Sequence, residues 1–314
     1  MEWLIFALLA PLMYAISNVV DKYALEQHTL GIADYMSFAS IGSLGLFIFL
    51  YASGAASGQV FDVVWPAILS GILMNGSYLL FALALTRSDS YRLMPFFLLI
   101  PVLLVLIDAV FYDAPFTSYH WAAVALAICG SVVLAIVNSP DATLKFSAGS
   151  AGFIMLVSVL LLTAGVFLMD KLADPQDTNG FVMLQCFGFF VATLFYPLYK
   201  PWRYEIVEGF KSATFPKVTT FAINDAADLF GSWLFVAAVA LAPSAGFVSL
   251  ALGIQPFYVI AIIYVVSKFH PSLLSERIGF KKGAQTLAGA MLITIGLLIL
   301  ALSPQDQNLA LLSR

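Results

Sequence analysis

Long apolar stretches, separated by short polar intervals, run the whole length of this chain. Ten can be cut at charges and turn residues, roughly 3–20, 33–53, 63–85, 93–111, 120–138, 149–169, 180–199, 218–241, 247–267 and 284–302. Each is about 18–24 residues long, the length that crosses a hydrocarbon core as an α-helix. In lipid every backbone polar group needs an internal partner, which leaves only helices or closed barrels. These segments lack the alternation of barrel strands, so they predict helices. Two intervals are longer and mix apolar with charged residues, 200–217 (KPWRYEIVEGFKSATFPK) and 268–283 (KFHPSLLSERIGFKKG). Each predicts an amphipathic turn lying partly in the interface.

Composition turns this pattern into a class. Of the 314 residues, 61% are hydrophobic and 10% charged, against about 45–50% and about 25% in average soluble domains. The chain is expected to be an all-α polytopic membrane protein, and disorder, fibrous repeats and disulfide scaffolds are excluded. A net charge of −4 leaves no electrostatic footprint for nucleic acid. Cys129 and Cys186 lie inside apolar segments and read as small buried hydrophobes. His28, His120 and His270 have no ligand-spaced neighbours, so neither a metal nor another cofactor is expected. Met1-Glu2-Trp3 lacks the basic start of a signal peptide, so the first segment is expected to remain a spanning helix.

The chain also repeats itself. Asp21-Lys22 at the end of the first segment matches Asp170-Lys171 at the end of the sixth, 149 residues on. Gly76-Ser77-Tyr78-Leu79 matches Gly231-Ser232-Trp233-Leu234 at an offset of 155, and the same offset places Pro101 on Pro256. These matches predict two five-helix halves, residues 1–145 and 146–303, followed by a polar tail, 304–314. A unit of five spans ends on the side opposite its start, so its copy is inserted upside down. Inverted repeats of this kind are an architecture of secondary transporters, with the substrate site near the midplane.

The polar end of the first segment (Ser17-Asn18-Val19-Val20-Asp21-Lys22), Pro101 and Pro256 in the fourth and ninth, and the glycine-punctuated fifth and tenth (ALAICGSVVLAI and LAGAMLITIGLLIL) carry a resemblance. In these features the chain resembles the drug/metabolite transporter superfamily in its EamA-like ten-helix form. Glu276-Arg277 is similar to the Glu-Arg pair of that family, whereas the first half has Asp113-Ala114 instead. The resemblance implies a carrier of small polar or amphipathic metabolites, working by alternating access.

Orientation is expected from the basic residues. Ten spans put twelve of the fourteen Lys and Arg on one side and only Lys171 and Arg314 on the other. Positive charge is retained in the cytoplasm, so both termini are expected outside a prokaryotic plasma membrane, opposite to the usual arrangement in the family.

Ionisable groups inside a span are expensive and mark function by default. In the eighth segment Asp225, Asp228 and Ser232 are spaced i, i+3, i+7 and share a helix face. Two carboxylates so close in a dry site do not both stay ionised, which suits proton coupling or a cationic substrate. In the first segment Tyr14, Asn18 and Asp21 form a second stripe; in the third, Asn75 and Tyr78 form another. Pro101 and Pro256 each remove a backbone donor and predict helix breaks beside the site, with Gln255 before the second and Tyr258 after it. With Trp233, and leaving Asp21 aside, these residues are the expected solute- and proton-binding set. A water-filled vestibule at the acids and purely structural kinks at the prolines are the plainer readings. Gly130, Gly289 and Gly296 allow close helix approach, within the chain or in a homodimer through the fifth and tenth segments.

A small solute and the lipid bilayer are thus the expected partners. No P-loop, HExxH or GxSxG motif occurs. An intramembrane enzyme on a lipid-linked or peptide substrate, and a non-transporting scaffold, are the alternatives to a secondary transporter. The first would need a nucleophile–base pair, and the second gains nothing from buried acids.

Overall fold

The computed structural model describes residues 2–54, 61–111, 118–137, 150–172, 178–242, 248, 251–269, 273 and 280–301. Among them there is no strand, and eleven helices of at least 12 residues follow in order. They are α1 (Glu2–Gln27), α2 (Ile32–Ala52), α3 (Phe61–Leu85), α4 (Leu99–Phe111), α5 (Ser118–Val137), α6 (Ala151–Leu172), α7 (Thr178–Thr193), α8 (Lys200–Lys211), α9 (Phe215–Leu241), α10 (Gln255–Phe269) and α11 (Phe280–Ala301). Six of them, α1, α2, α3, α6, α7 and α9, are long and apolar enough to cross a membrane. The chain is an integral, multi-pass membrane protein. The expected joint between halves, the tail 304–314, Asp113-Ala114 and Glu276-Arg277 lie outside the described residues, as do the side chains of Pro101, Asp108 and Asp170.

Both repeated prolines sit where the helix changes form. A helical turn (Ser90–Leu93) and a 3-10 stretch (Met94–Leu98) run into α4, with Pro101 as its third residue. A second 3-10 stretch (Leu252–Ile254) runs into α10, with Pro256 as its second residue. In the first turn of an α-helix the missing N–H has no intrahelical partner to lose. Each proline therefore starts an α-helix instead of kinking one in the middle.

Helix α1 packs along α9, α3 against α6 and α7, α2 against α7, and α5 against α11. Two of these contacts are backbone to backbone. A Cβ on Gly71 of α3 would collide with the carbonyl of Gln185 in α7, and one on Gly188 of α7 with that of Ile68 in α3. A Cβ on Gly130 of α5 would lie 2.7 Å from the Gly289 carbonyl of α11. Of the glycines expected to allow close approach, Gly130 meets Gly289 here within one chain.

The mixed interval after the seventh segment is more ordered than an amphipathic turn. Pro201 stands at the start of α8, whose Glu205 accepts a hydrogen bond from the Ala33 amide (3.1 Å) and so caps α2 from outside. Beneath it Lys217 reaches both oxygens of Asp34 (2.8 and 2.7 Å), the Gly209 carbonyl and the ring of Phe38. Lys217 and Asp34 are 3% and 0% exposed. Lys22, also buried, donates to the carbonyls of Leu85 (2.7 Å) and Ser88 (3.2 Å) at the end of α3. Neither lysine is the loop charge that its place between apolar runs suggests.

Candidate functional site

Helical spacing aims one face of each central helix at a common space. Helix α1 contributes Tyr14 and Asn18, α3 contributes Met74, Tyr78 and Phe81, and α9 contributes Asp228, Ser232, Phe235 and Val236. Helix α6 adds Leu162, Val166 and Met169, and α7 adds Gln185. The 3-10-to-α junctions close it, with Phe97 and Ile100 on one side and Leu252 and Gln255 on the other. The cavity measures about 70 Å³, room for several waters or one small polar group. Among the described residues its wall is largely aromatic and aliphatic, with one carboxylate, Asp228, and no Lys or Arg.

The polar groups are mostly tethered. Tyr78 donates to Asp228 Oδ1, and Tyr14 donates to Ser232 Oγ (3.3 Å). Gln185 donates to Ser70 Oγ (3.0 Å), which in turn donates to the Gly165 carbonyl. Among the described residues Asn18 Nδ2 is buried with no partner, and Gln255 has only the sulfur of Met94 at 3.9 Å. A solute that offers acceptors would find these two amides free to turn.

One turn beyond Asn18 on α1, outside the cavity wall, Asp21 sits in a second polar group. Tyr35 of α2 and Asn224 of α9 both donate to Asp21 Oδ1, at 2.5 and 2.6 Å, and Ser17 donates to Asn224 Oδ1 at 3.1 Å. Asp21 Oδ2 is buried without a partner among the described residues.

Of the residues expected at the site, Tyr14, Asn18, Tyr78, Asp228, Ser232 and Gln255 line the cavity together. Pro101 and Pro256 adjoin it through Ile100 and Gln255. The other four are not in its wall. Asn75 gives its amide hydrogens to Phe189 O and Thr193 Oγ1 and accepts from Tyr196, so it ties α3 to the end of α7. Trp233 donates to Asn179 (3.0 Å). Tyr258 packs against the apolar core. Asp225 faces α2, where a Cβ on Gly42 would run into its carboxylate. Helix α9 starts at Phe215, so Asp225 lies ten residues in, deeper than the predicted segment placed it. Gln185, Tyr35 and Asn224 are additions that sequence reasoning missed. Gln185 was a lone amide in an apolar segment, and Asn224 adjoins Asp225. Tyr35, near the start of α2, carried no signal.

Residues 1–136 match the model of the EamA-like transporter family. No curated protein matches the chain. A solved structure, described only as "Crystal structure of protein", is similar with a TM-score of 0.60 at 15% identity, over 96% of this chain and 96% of that one. At that identity the likeness concerns the fold alone.

Proposed function

We propose that the chain is a secondary transporter of a small amphipathic solute, from the premise that residues 1–136 match the EamA-like transporter family, whose members are transporters and not enzymes. The solute carries its positive group to Asp228 and its apolar body against Met74, Phe81, Phe97 and Phe235. Asn18, Gln185 and Gln255 orient it. The observation that carries this reading is an apolar cavity whose described lining has a single carboxylate and no basic side chain.

The same proposal includes ten spans arranged as two inverted halves, with both termini outside. It is supported by reciprocal pairing, in which α1 packs on α9 as its counterpart α6 packs on α3. It is also supported by the matched glycines, since Gly76 makes room for Leu161 of α6 and Gly231 for Tyr14 of α1. Rocking of the halves about the midplane would open the cavity to each side in turn.

Flux into proteoliposomes containing the purified protein tests the function. A panel of amphipathic amines, zwitterions and carboxylic acids should show uptake of solutes with a positive group. Asp228→Asn should weaken their binding by about tenfold or more, the worth of one charge-assisted contact. Flux of carboxylic acids alone, unchanged in Asp228→Asn, would sink this reading.

A further inference from the structure

Two described carboxylates are wholly buried, and the protein treats them differently. Asp34, 0% exposed, is matched by the ammonium of Lys217. Asp21, also 0% exposed, makes no ion pair among the described residues. The adjacent Lys22 turns away to Leu85 O, Ser88 O and Glu26. Among the described residues both donors that reach Asp21 converge on Oδ1, and Oδ2 has no partner. A buried carboxylate without a countercharge is strongly disfavoured, whereas a bound proton removes the charge altogether.

We propose that Asp21 is a proton-binding site separate from the solute carboxylate Asp228, and that its proton is the coupling ion of transport. The second clause rests on the transporter reading; the first does not. Helix α9 joins the two sites. Asn224, which holds Asp21, and Asp228, which faces the solute, are four residues apart and share a helix face. Any shift of α9 that changes the cavity wall therefore acts on Asp21 as well.

The ionisable groups acting on Asp21 are Tyr35 from α2, Tyr78 from α3, and Asp225 and Asp228 from α9. Lys22 and Glu26 follow it on α1. Like charges oppose one another's ionisation. While Asp228 is ionised and bare, it opposes loss of the Asp21 proton; a cationic solute on Asp228 relieves that opposition. Solute binding and proton release are thereby linked, which is the requirement for exchange. On release the O–H bond at Oδ2 breaks, the proton leaves to water, and the electron pair stays on the carboxylate.

Infrared difference spectroscopy of the full-length purified protein, titrated with acid and base, reads the protonated carboxyl directly. The wild type should show a carboxylic-acid carbonyl band that rises and falls with pH. Asp228→Asn should retain the Asp21 component, and Asp21→Asn should lose it. Tyr35→Phe, which removes one donor and no volume of consequence, should shift its frequency, and it keeps the test alive should Asp21→Asn fail to fold. A band unchanged in Asp21→Asn, or indifferent to Tyr35→Phe, overturns the site. So does a band abolished by sodium chloride but not by choline chloride, which would make sodium the ligand. In proteoliposomes, solute flux in Asp21→Asn should no longer respond to a pH gradient; an undiminished response overturns the coupling role. Absence of any flux in the wild type overturns the transporter reading and leaves the spectroscopic result standing.

Discussion

Lys217 and Asp34 are held by each other and by little else that could take their charge. Removing one partner leaves the other buried and unpaired, a loss of about 3–5 kcal/mol in comparable pairs. Lys217→Met should therefore lower the unfolding temperature of the purified protein markedly, and Asp34→Asn in the same chain should restore much of it. Additive losses in the double variant would show that the two charges are not coupled. The pair was not legible in the sequence, because one partner opens α2 and the other opens α9, 183 residues later. Nothing in local spacing connects them. Asp228, by contrast, was legible: an acid in an apolar run has few reasons to be there except a partner or a ligand. Asn75 passed the same filter and turned out differently, since its three hydrogen bonds are all spent within the protein. A polar residue's type can be read from sequence, but whether its bonds are already satisfied depends on its neighbours in space.

At the scale of elements, apolar runs found the helices because lipid and helix geometry leave few alternatives. What they missed lies at the ends. Helix α8 is less apolar than a span and came out only as an amphipathic turn, and its docking depends on Glu205 meeting the open amides of α2. At each proline the helix changes from 3-10 to α, and the 3-10 geometry upstream puts the proline in a first turn and not in mid-helix. The α3–α7 contact makes a sharper claim. There Gly188 sits against the Ile68 backbone, which cannot swing aside as a side chain would. Gly188→Ala should force the helices apart at a cost of about 1–3 kcal/mol, as overpacking does elsewhere. Gly45 of α2 has open space around its Cβ position and supplies the control. Thermal unfolding of the two variants should separate them; equal stability would mean that the close approach of α3 and α7 is not needed.

For the whole molecule, the decisive quantity is a parity. Two inverted five-helix halves require an odd number of crossings between any position and its repeat. The offsets of 149 and 155 residues suggested this in the sequence, and the reciprocal packing of α1 with α9 and α3 with α6 agrees with it. Charge adds a direction, because basic residues are retained in the cytoplasm. Lys200, Arg203 and Lys211 all lie on α8, outside the spans. Exposed Ser53, just after α2, and exposed Lys211 are separated by α3, α4, α5, α6 and α7. If all five cross, these residues lie on opposite faces, with Ser53 outside. Single cysteines at the two positions, in a chain whose Cys129 and Cys186 are replaced by alanine, make the test. A membrane-impermeant maleimide applied to intact cells should label Ser53→Cys and spare Lys211→Cys until the membrane is opened. The reverse pattern would keep the odd count and invert the orientation. Labelling of both from outside would make the count even, and the inverted-repeat architecture would fall with it.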